Sequence, residues 1–223
     1  AALQDMPLGE KTAGFKQWAH ALETFAHSET LARDLPHWKE LTNAPSKTLP
    51  ADSDHPGPNT EASAATVCVN LNEAETARLL HELPAAYNTR INDALLTALT
   101  LGFRQSTHSN SLLVDLEGHG RESFPGSVDV SRTVGWFTTI FPVDIALASS
   151  PNPADSLKAI KEQLRAIPQN GLGFGVLKYL DSEGSTTLAE LPTPEVAFNY
   201  LGQFDQVVAG SEFFNFAPEN SGP

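Results

Sequence analysis

The chain has 223 residues, with 14 Lys plus Arg against 27 Asp plus Glu, a formal charge of −13. That balance argues against nucleic-acid binding, which needs clustered Lys and Arg on phosphate, and against docking on an anionic membrane surface. A single cysteine, Cys68, excludes an internal disulfide and a Cys-based zinc cluster, no apolar run reaches the ~18 residues of a membrane span, and a 40% apolar share is enough for a packed core in one large or two small domains.

The chain begins Ala1-Ala2-Leu3-Gln4-Asp5, without a signal-peptide plan or an initiator Met, so we expect it to be cut from something longer. Phe15, Trp18, Ala19, Leu22, Phe25 and Ala26 recur at helical steps and predict a helix over about 12–28. Leu35, Trp38 and Leu41 form a second apolar pattern. Residues 44–65 carry Pro45, Pro50, Pro56 and Pro58 among polar residues and predict an exposed loop. Val67 to Leu71 reads as a strand. Asn72 with Glu75 reads as a capping box opening a helix that Pro84 should stop near Leu83. Ile91 to Arg104 has the strongest helical pattern. Leu112 to Leu116 and Ile140 to Ile145 read as strands, the second an edge because it contains Pro142. Asn152 and Pro153 open a helix to about Ile167, and Val196 to Leu201 is a further strand. Strands and helices mix without an internal repeat, so the expected class is α/β or α+β.

Generic catalytic signatures are poor. The seven His are scattered, no Cys or carboxylate completes a metal set, and no nucleophile elbow, phosphate loop or dinucleotide fingerprint is present. Gly171 to Gly175 reads as a tight backbone crossing. One segment stands out: the strand Leu113-Val114-Asp115-Leu116 runs directly into Glu117-Gly118-His119-Gly120-Arg121-Glu122. A carboxylate at the end of a buried strand is costly unless paired or functional, and flanking glycines allow close backbone approach. Arg121 could hold one acid charged and leave Glu117 with the raised pKa a general base requires. The alternative is a structural Glu–Arg pair at the strand end, and the residues alone leave both open.

These segments together resemble the epimerization domains of nonribosomal peptide synthetases. Glu117 to Glu122 is similar to the family's E-G-H-G-R-E motif. Tyr87 to Leu96 resembles Y-x-x-x-[VI]-N-D-x-L-L, and Arg132 to Thr138 with Phe141-Pro142 resembles R-T-V-G-W-F-T…P. Pro168 to Gly175 resembles P-x-x-G-x-G-Y-G with Phe174 in place of Tyr, and Phe198 to Gln203 resembles F-N-Y-L-G-Q. The motifs fall in the family's order over about residues 85 to 205. The family's H-H-x-x-x-D-G motif, which carries a catalytic His, is absent, since no two His are adjacent.

The resemblance implies a chloramphenicol acetyltransferase-like lobe, an α/β two-layer sandwich forming the C-terminal half of a V-shaped domain. Residues 1–65 would hold the end of the N-terminal lobe and a Pro-rich linker, and residues 66–223 the C-terminal lobe, truncated at its end. It implies inversion of L to D at the Cα of an aminoacyl or peptidyl thioester. The substrate would ride on the 4'-phosphopantetheine arm of a carrier domain, with no other cofactor and no metal. Glu117 would be one acid/base group. The other would be the His of the N-terminal lobe, so the chain alone is expected to be inactive. Tyr200 would support the enolate oxygen, Trp136, Phe137 and Asn199 would bind substrate, and His119, Arg121, Asn92 and Asp93 would be structural. Implied partners are the peptidyl carrier domain, the N-terminal lobe and neighbouring synthetase domains, in the cytoplasm. Two further readings stay open: a condensation domain, whose G-x-F-x-N differs from Gly135-Trp136-Phe137-Thr138, and a non-catalytic carrier-docking lobe.

Overall fold

Gly14 starts the first helix, α1 (Phe15–Ala26), and its N–H is held by the Gln17 side chain at 2.8 Å. The computed structural model describes residues 9–43, 49–50, 57–150 and 152–202. The apolar stripe of α1 buries Trp18, Phe25 and Ala26. Ser28 then caps a one-turn helix, α2 (Glu29–Ala32), which inserts Leu31, and α3 (Leu35–Lys39) inserts Trp38. Trp38 is fully buried and meets Phe174 and Phe141 edge-on, at centroid distances of 5.1 and 6.1 Å. Both apolar patterns before residue 44 are therefore real core faces. These helices precede residue 65, yet their side chains share one core with the strands that follow.

The stretch before α4 differs from expectation. Val67 to Leu71 forms no strand; Val67 is 89% and Val69 86% exposed. Strand propensity is realised only against a partner, and none of the described segments pairs with it. The Asn72 capping box does form, with reciprocal bonds of 2.9 Å to and from Glu75. It opens α4 (Glu73–Ala77), but Pro84 does not end the helix. A π-helical turn at Arg78–Glu82 leads into α5 (Leu83–Tyr87), which carries Pro84 in its first turn. A proline lacks the N–H and crowds the carbonyl four residues back, and a locally widened turn accommodates both. The chain turns at Asn88, which adopts the left-handed conformation.

Arg90 precedes α6 (Ile91–Thr107), the longest helix described. Two eight-residue strands then pair antiparallel: β1 (Ser111–Gly118) and β2 (Thr139–Ala146). The short β3 (Ala197–Phe198) joins β1 in parallel, giving the order β2-β1-β3. Leu112, Val114 and Leu116 lie opposite Ile145, Val143 and Phe141, and all six are buried. The intervening positions set Leu113 opposite Asp144, Asp115 opposite Pro142 and Glu117 opposite Ile140. Among the described strands β2 is an edge, as Pro142 suggested. At Ala146 the Gln163 side chain satisfies the outer backbone groups, accepting at 2.9 Å and donating at 2.7 Å.

Asn152 caps α7 (Pro153–Arg165), which supplies Gln163. The periodicity reading leaves the next two helices unassigned: α8 (Leu172–Leu180) and α9 (Ser182–Leu188). α8 is apolar on most sides, and Leu172, Phe174, Val176 and Leu177 are all core residues, which hides a one-sided pattern. The fold is thus mixed α/β, with helices packed on a three-stranded sheet. No described helix is long and apolar enough to cross a membrane.

The glycine-rich stretch is not the tight backbone crossing expected: it opens α8, and its first glycine packs against an aromatic ring. Gly171 sits at φ 87°, and a Cβ there would collide with the Phe141 ring. Gly171→Ala combines left-handed strain with overpacking, so it should lower unfolding free energy by about 2–4 kcal/mol in denaturant titrations.

Candidate functional site

The candidate site is the end of β1 together with the 119–138 loop that leads to β2. Arg121 is its centre. Its guanidinium donates to the Val130 carbonyl, and to the Thr133 carbonyl at 2.8 Å. It also lies 4.0 Å from the centroid of the Phe137 ring. A planar guanidinium can satisfy two carbonyls and cover an aromatic face together, as an ammonium cannot. Arg121 forms no ion pair with an acid among the described residues. The structural Glu–Arg pair considered from the sequence is therefore not formed: backbone carbonyls take the place of the acid.

Phe137 ties this loop to α1. It is buried and packs edge-on against Phe15 at 5.3 Å and Trp18 at 5.7 Å. Thr133 adds a hydroxyl bond of 2.5 Å to the Ala13 carbonyl, and Ala13 donates to the Asp129 carbonyl at 2.8 Å. Gly120, at φ 68°, has no room for a Cβ because the Phe137 carbonyl stands there. The close approach expected of the flanking glycines occurs here. Trp136, the residue before Phe137, stays outside and is 90% exposed.

His119 belongs to a second cluster. Its Nδ1 accepts from the Arg121 backbone N–H at 3.0 Å, so geometry assigns the ring proton to Nε2. Nε2 faces Glu122 Oε1 at 3.2 Å, and Glu122 Oε2 accepts from the Asn170 amide at 2.8 Å. Beside this cluster lies a cavity of about 470 Å³ lined by His119, Arg121, Glu122, Asp129 and Ser131.

Glu117 is exposed on the penultimate residue of β1. The β1–β3 pairing ends at Leu116 and Phe198, so Glu117 follows it on one strand while Asn199 and Tyr200 follow β3 on the other. Asn199 is exposed and Tyr200 half-buried. All three residues thus leave the sheet at the same end of the β1–β3 pair. Asn92 and Asp93 sit apart, in the first turn of α6, where buried Asp93 accepts from the Arg90 N–H at 2.7 Å. Asp93 thereby caps the helix start, while the Asn92 side-chain oxygen is buried without a hydrogen-bond partner among the described residues.

The desolvated acids are not the one singled out from the sequence. Glu117 stands exposed at the strand end, so the burial premise applied to it fails. Burial instead raises the carboxyl of Asp115, partly offset by Lys178, and that of Asp144, partly offset by a hydrogen bond from Ser111. Both occupy the alternate positions of the sheet that also carry Glu117. The signal was available: an Asp at an interior position of a strand loses more water than a Glu at its end. Asn170 was also missed, because its contact with Glu122 spans 48 residues. No group of three potential metal-binding side chains occurs among the described residues.

Residues 2–220 match the family model described as "Condensation domain". A linear gramicidin synthase polypeptide of Brevibacillus parabrevis is 43% identical over 223 residues, which is the whole chain and 4% of that protein. Chondramide synthase cmdD of Chondromyces crocatus is 45% identical over 216 residues, 96% of this chain and 5% of that protein. Among solved structures, the epimerization domain from the third module of tyrocidine synthetase B superposes with a TM-score of 0.82 at 36% identity. That match covers 98% of this chain and 49% of the other. The EpoB cyclization-docking bidomain from Sorangium cellulosum, at 18% identity and a TM-score of 0.57, shares the fold; that match covers 81% of this chain and 36% of the other. The chain therefore spans less than a tenth of these two curated relatives and about half of the solved epimerization domain.

The desolvated sheet face has a testable consequence. Burial lifts the folded-state value of Asp144 above its ordinary 3.8, so the ionised carboxyl opposes folding. The stabilising effect of its proton is complete below pH 3.8 and is lost as pH rises through the raised value. Asp144→Asn should therefore raise Tm at pH 7, with the difference vanishing as pH falls toward 3.8 in thermal unfolding followed by circular dichroism.

Proposed function

The chain belongs to the condensation-domain family, and from that premise we propose that it is part of an epimerization domain of a nonribosomal peptide synthetase. In this reading it inverts L to D at the Cα of an aminoacyl or peptidyl thioester. The observation that carries the proposal is the match to an epimerization domain at 36% identity over 98% of the chain. Glu117 to Glu122, the segment that resembles the epimerization motif, lies at an accessible strand end and supports it. In the same reading residues 66–223 are the C-terminal lobe and residues 1–65 bring in the end of the N-terminal lobe and the linker. The surroundings are a cytoplasmic synthetase.

The chemistry requires a base on one face of the Cα and an acid on the other. A thioester acidifies its Cα–H only modestly, so each group must reach the carbon's proton within hydrogen-bond distance. Glu117 is the group this chain supplies, and its exposure lets an incoming thioester reach it. The opposing group is a His on the N-terminal lobe. Charge developing on the thioester oxygen requires a fixed donor, and Tyr200, two residues past β3, is this chain's candidate. Asn199, the residue after β3, orients the substrate, while exposed Trp136 offers it an aromatic wall. Phe137 acts from below, through the core that holds the loop. The substrate arrives on the phosphopantetheine arm of a carrier domain, which needs no dissolved cofactor.

The test uses the synthetase that contains the chain, its carrier loaded with an α-deuterated L-aminoacyl thioester. Loss of deuterium is expected, with none above background when the 223-residue chain is supplied alone. Glu117→Gln should slow the exchange by about 100- to 10,000-fold. Exchange left unchanged by that substitution would remove Glu117 from its role. An inert wild type would favour a carrier-docking lobe.

A further inference from the structure

Three successive residues before α8 adopt left-handed backbone: Gln169 at φ 48°, Asn170 at φ 49° and Gly171 at φ 87°. Glycine does this freely. Two adjacent non-glycine residues doing so is uncommon, and such strain persists where the surrounding structure holds it in place. Here the strain has a result. It turns the Asn170 amide onto Glu122 Oε2 at 2.8 Å, from a segment 48 residues away. The other oxygen of Glu122 holds His119 Nε2 at 3.2 Å, and His119 Nδ1 receives the Arg121 N–H at 3.0 Å. The Glu122 side chain is only 16% exposed, while its two partners, His119 and Asn170, reach it from the exposed surface. The same turn presses the Asn170 carbonyl toward Gly118, to 3.8 Å from the place a Cβ would occupy. Both the backbone and the side chain of this turn thus bear on the segment that follows Glu117.

We infer that Asn170 is a positioning residue, which fixes the chain direction after Glu117 through the relay Asn170–Glu122–His119–Arg121. This deepens the epimerase reading and rests on it. The relay has a definite polarity. The Asn170 amide donates, Glu122 accepts on both oxygens, and the neutral His119 ring donates from Nε2. Reversing the first bond while keeping the second should therefore preserve the arrangement. Asn170→Asp places a carboxylate against Glu122 and breaks the first bond. Glu122→Gln alone sets an amide against an amide, with one of them free to turn. Together they restore a donor–acceptor pair. The amide N–H then at position 122 donates to the carboxylate at position 170, while the amide oxygen still accepts from His119. Asn170→Gly removes the amide and relieves the left-handed strain at once.

Two measurements decide the matter. The first needs no activity: amide hydrogen exchange of residues 118–122 in the chain itself, with Tm beside it. Asn170→Asp and Asn170→Gly should each speed exchange there about tenfold. Asn170→Gly should leave Tm unchanged or higher, and the Asn170→Asp/Glu122→Gln pair should return exchange to within about threefold of wild type. The second is α-deuterium exchange in the complete synthetase. Asn170→Asp should lower kcat about tenfold with KM within about twofold, since a small displacement of a catalytic group is felt in the chemical step. The double variant should recover to within about threefold. Unchanged hydrogen exchange in both single variants, or a double variant no better than the sum of its parts, overturns the relay. A wild-type synthetase that exchanges no deuterium overturns the epimerase reading instead, and the hydrogen-exchange result still decides the relay.

Discussion

The 119–138 loop is organised by a single demand, that the Arg121 guanidinium find acceptors away from bulk water. It meets the demand with the carbonyls of Val130 and Thr133 and the face of Phe137. Charge-assisted bonds of this kind are among the stronger ones in a folded chain. To deliver both carbonyls and the ring, the loop must curl back past Gly120, and only a glycine tolerates the resulting approach of the Phe137 carbonyl. Phe137 must in turn enter the core, where Phe15 and Trp18 receive it. The position of α1 then follows from the loop, and Trp136 is left outside because its neighbour has gone in.

Much of this is legible in the residues, and the parts that are not share a physical cause. The Asn72–Glu75 box, the α6 stripe and the Asn152–Pro153 start depend on neighbours within four positions, and all are present. Val67 to Leu71 has the alternation of a strand, but a strand needs a second segment, and here none pairs with it among the described residues. Pro84 would end an ordinary helix, while the π-helical turn before it changes the local geometry. α8 is hidden because its residues are apolar on most sides, which leaves no one-sided pattern to read. The candidate site divides the same way. Glu117, His119 and Arg121 are visible as one motif. What each touches is not, because Asn170, Val130 and Thr133 come from other turns of the chain.

Desolvation sorts the carboxylates of the sheet. Alternation along β1 puts Asp115 and Glu117 on one face, two residues apart, with different neighbours. Asp115 faces Pro142 across β2 and Ala197 across β3, well inside the sheet, and burial raises its carboxyl. Glu117 is at the end, where the loop leaves and water reaches it. In the epimerase reading the acid must receive a proton from an incoming substrate, and the exposed end position is open to that role where the interior one is not.

Accessibility alone, however, leaves Glu117 in water, where the fixed dipoles around it are screened. Large apolar side chains are left exposed on this part of the chain: Ile140 lies opposite Glu117 and is 59% exposed, and Trp136 and Val134 of the loop that leads to β2 are 90% and 97% exposed. In the epimerase reading these side chains are what a second lobe and the bound thioester would cover, removing water from around Glu117 as the substrate arrives. The chain spans about half of the solved epimerization domain, which leaves that cover to the other half. On this view the lobe holds its acid in a defined place with the Arg121 clamp and the Asn170 relay, and leaves the drying of the site to the closure of the domain around its substrate.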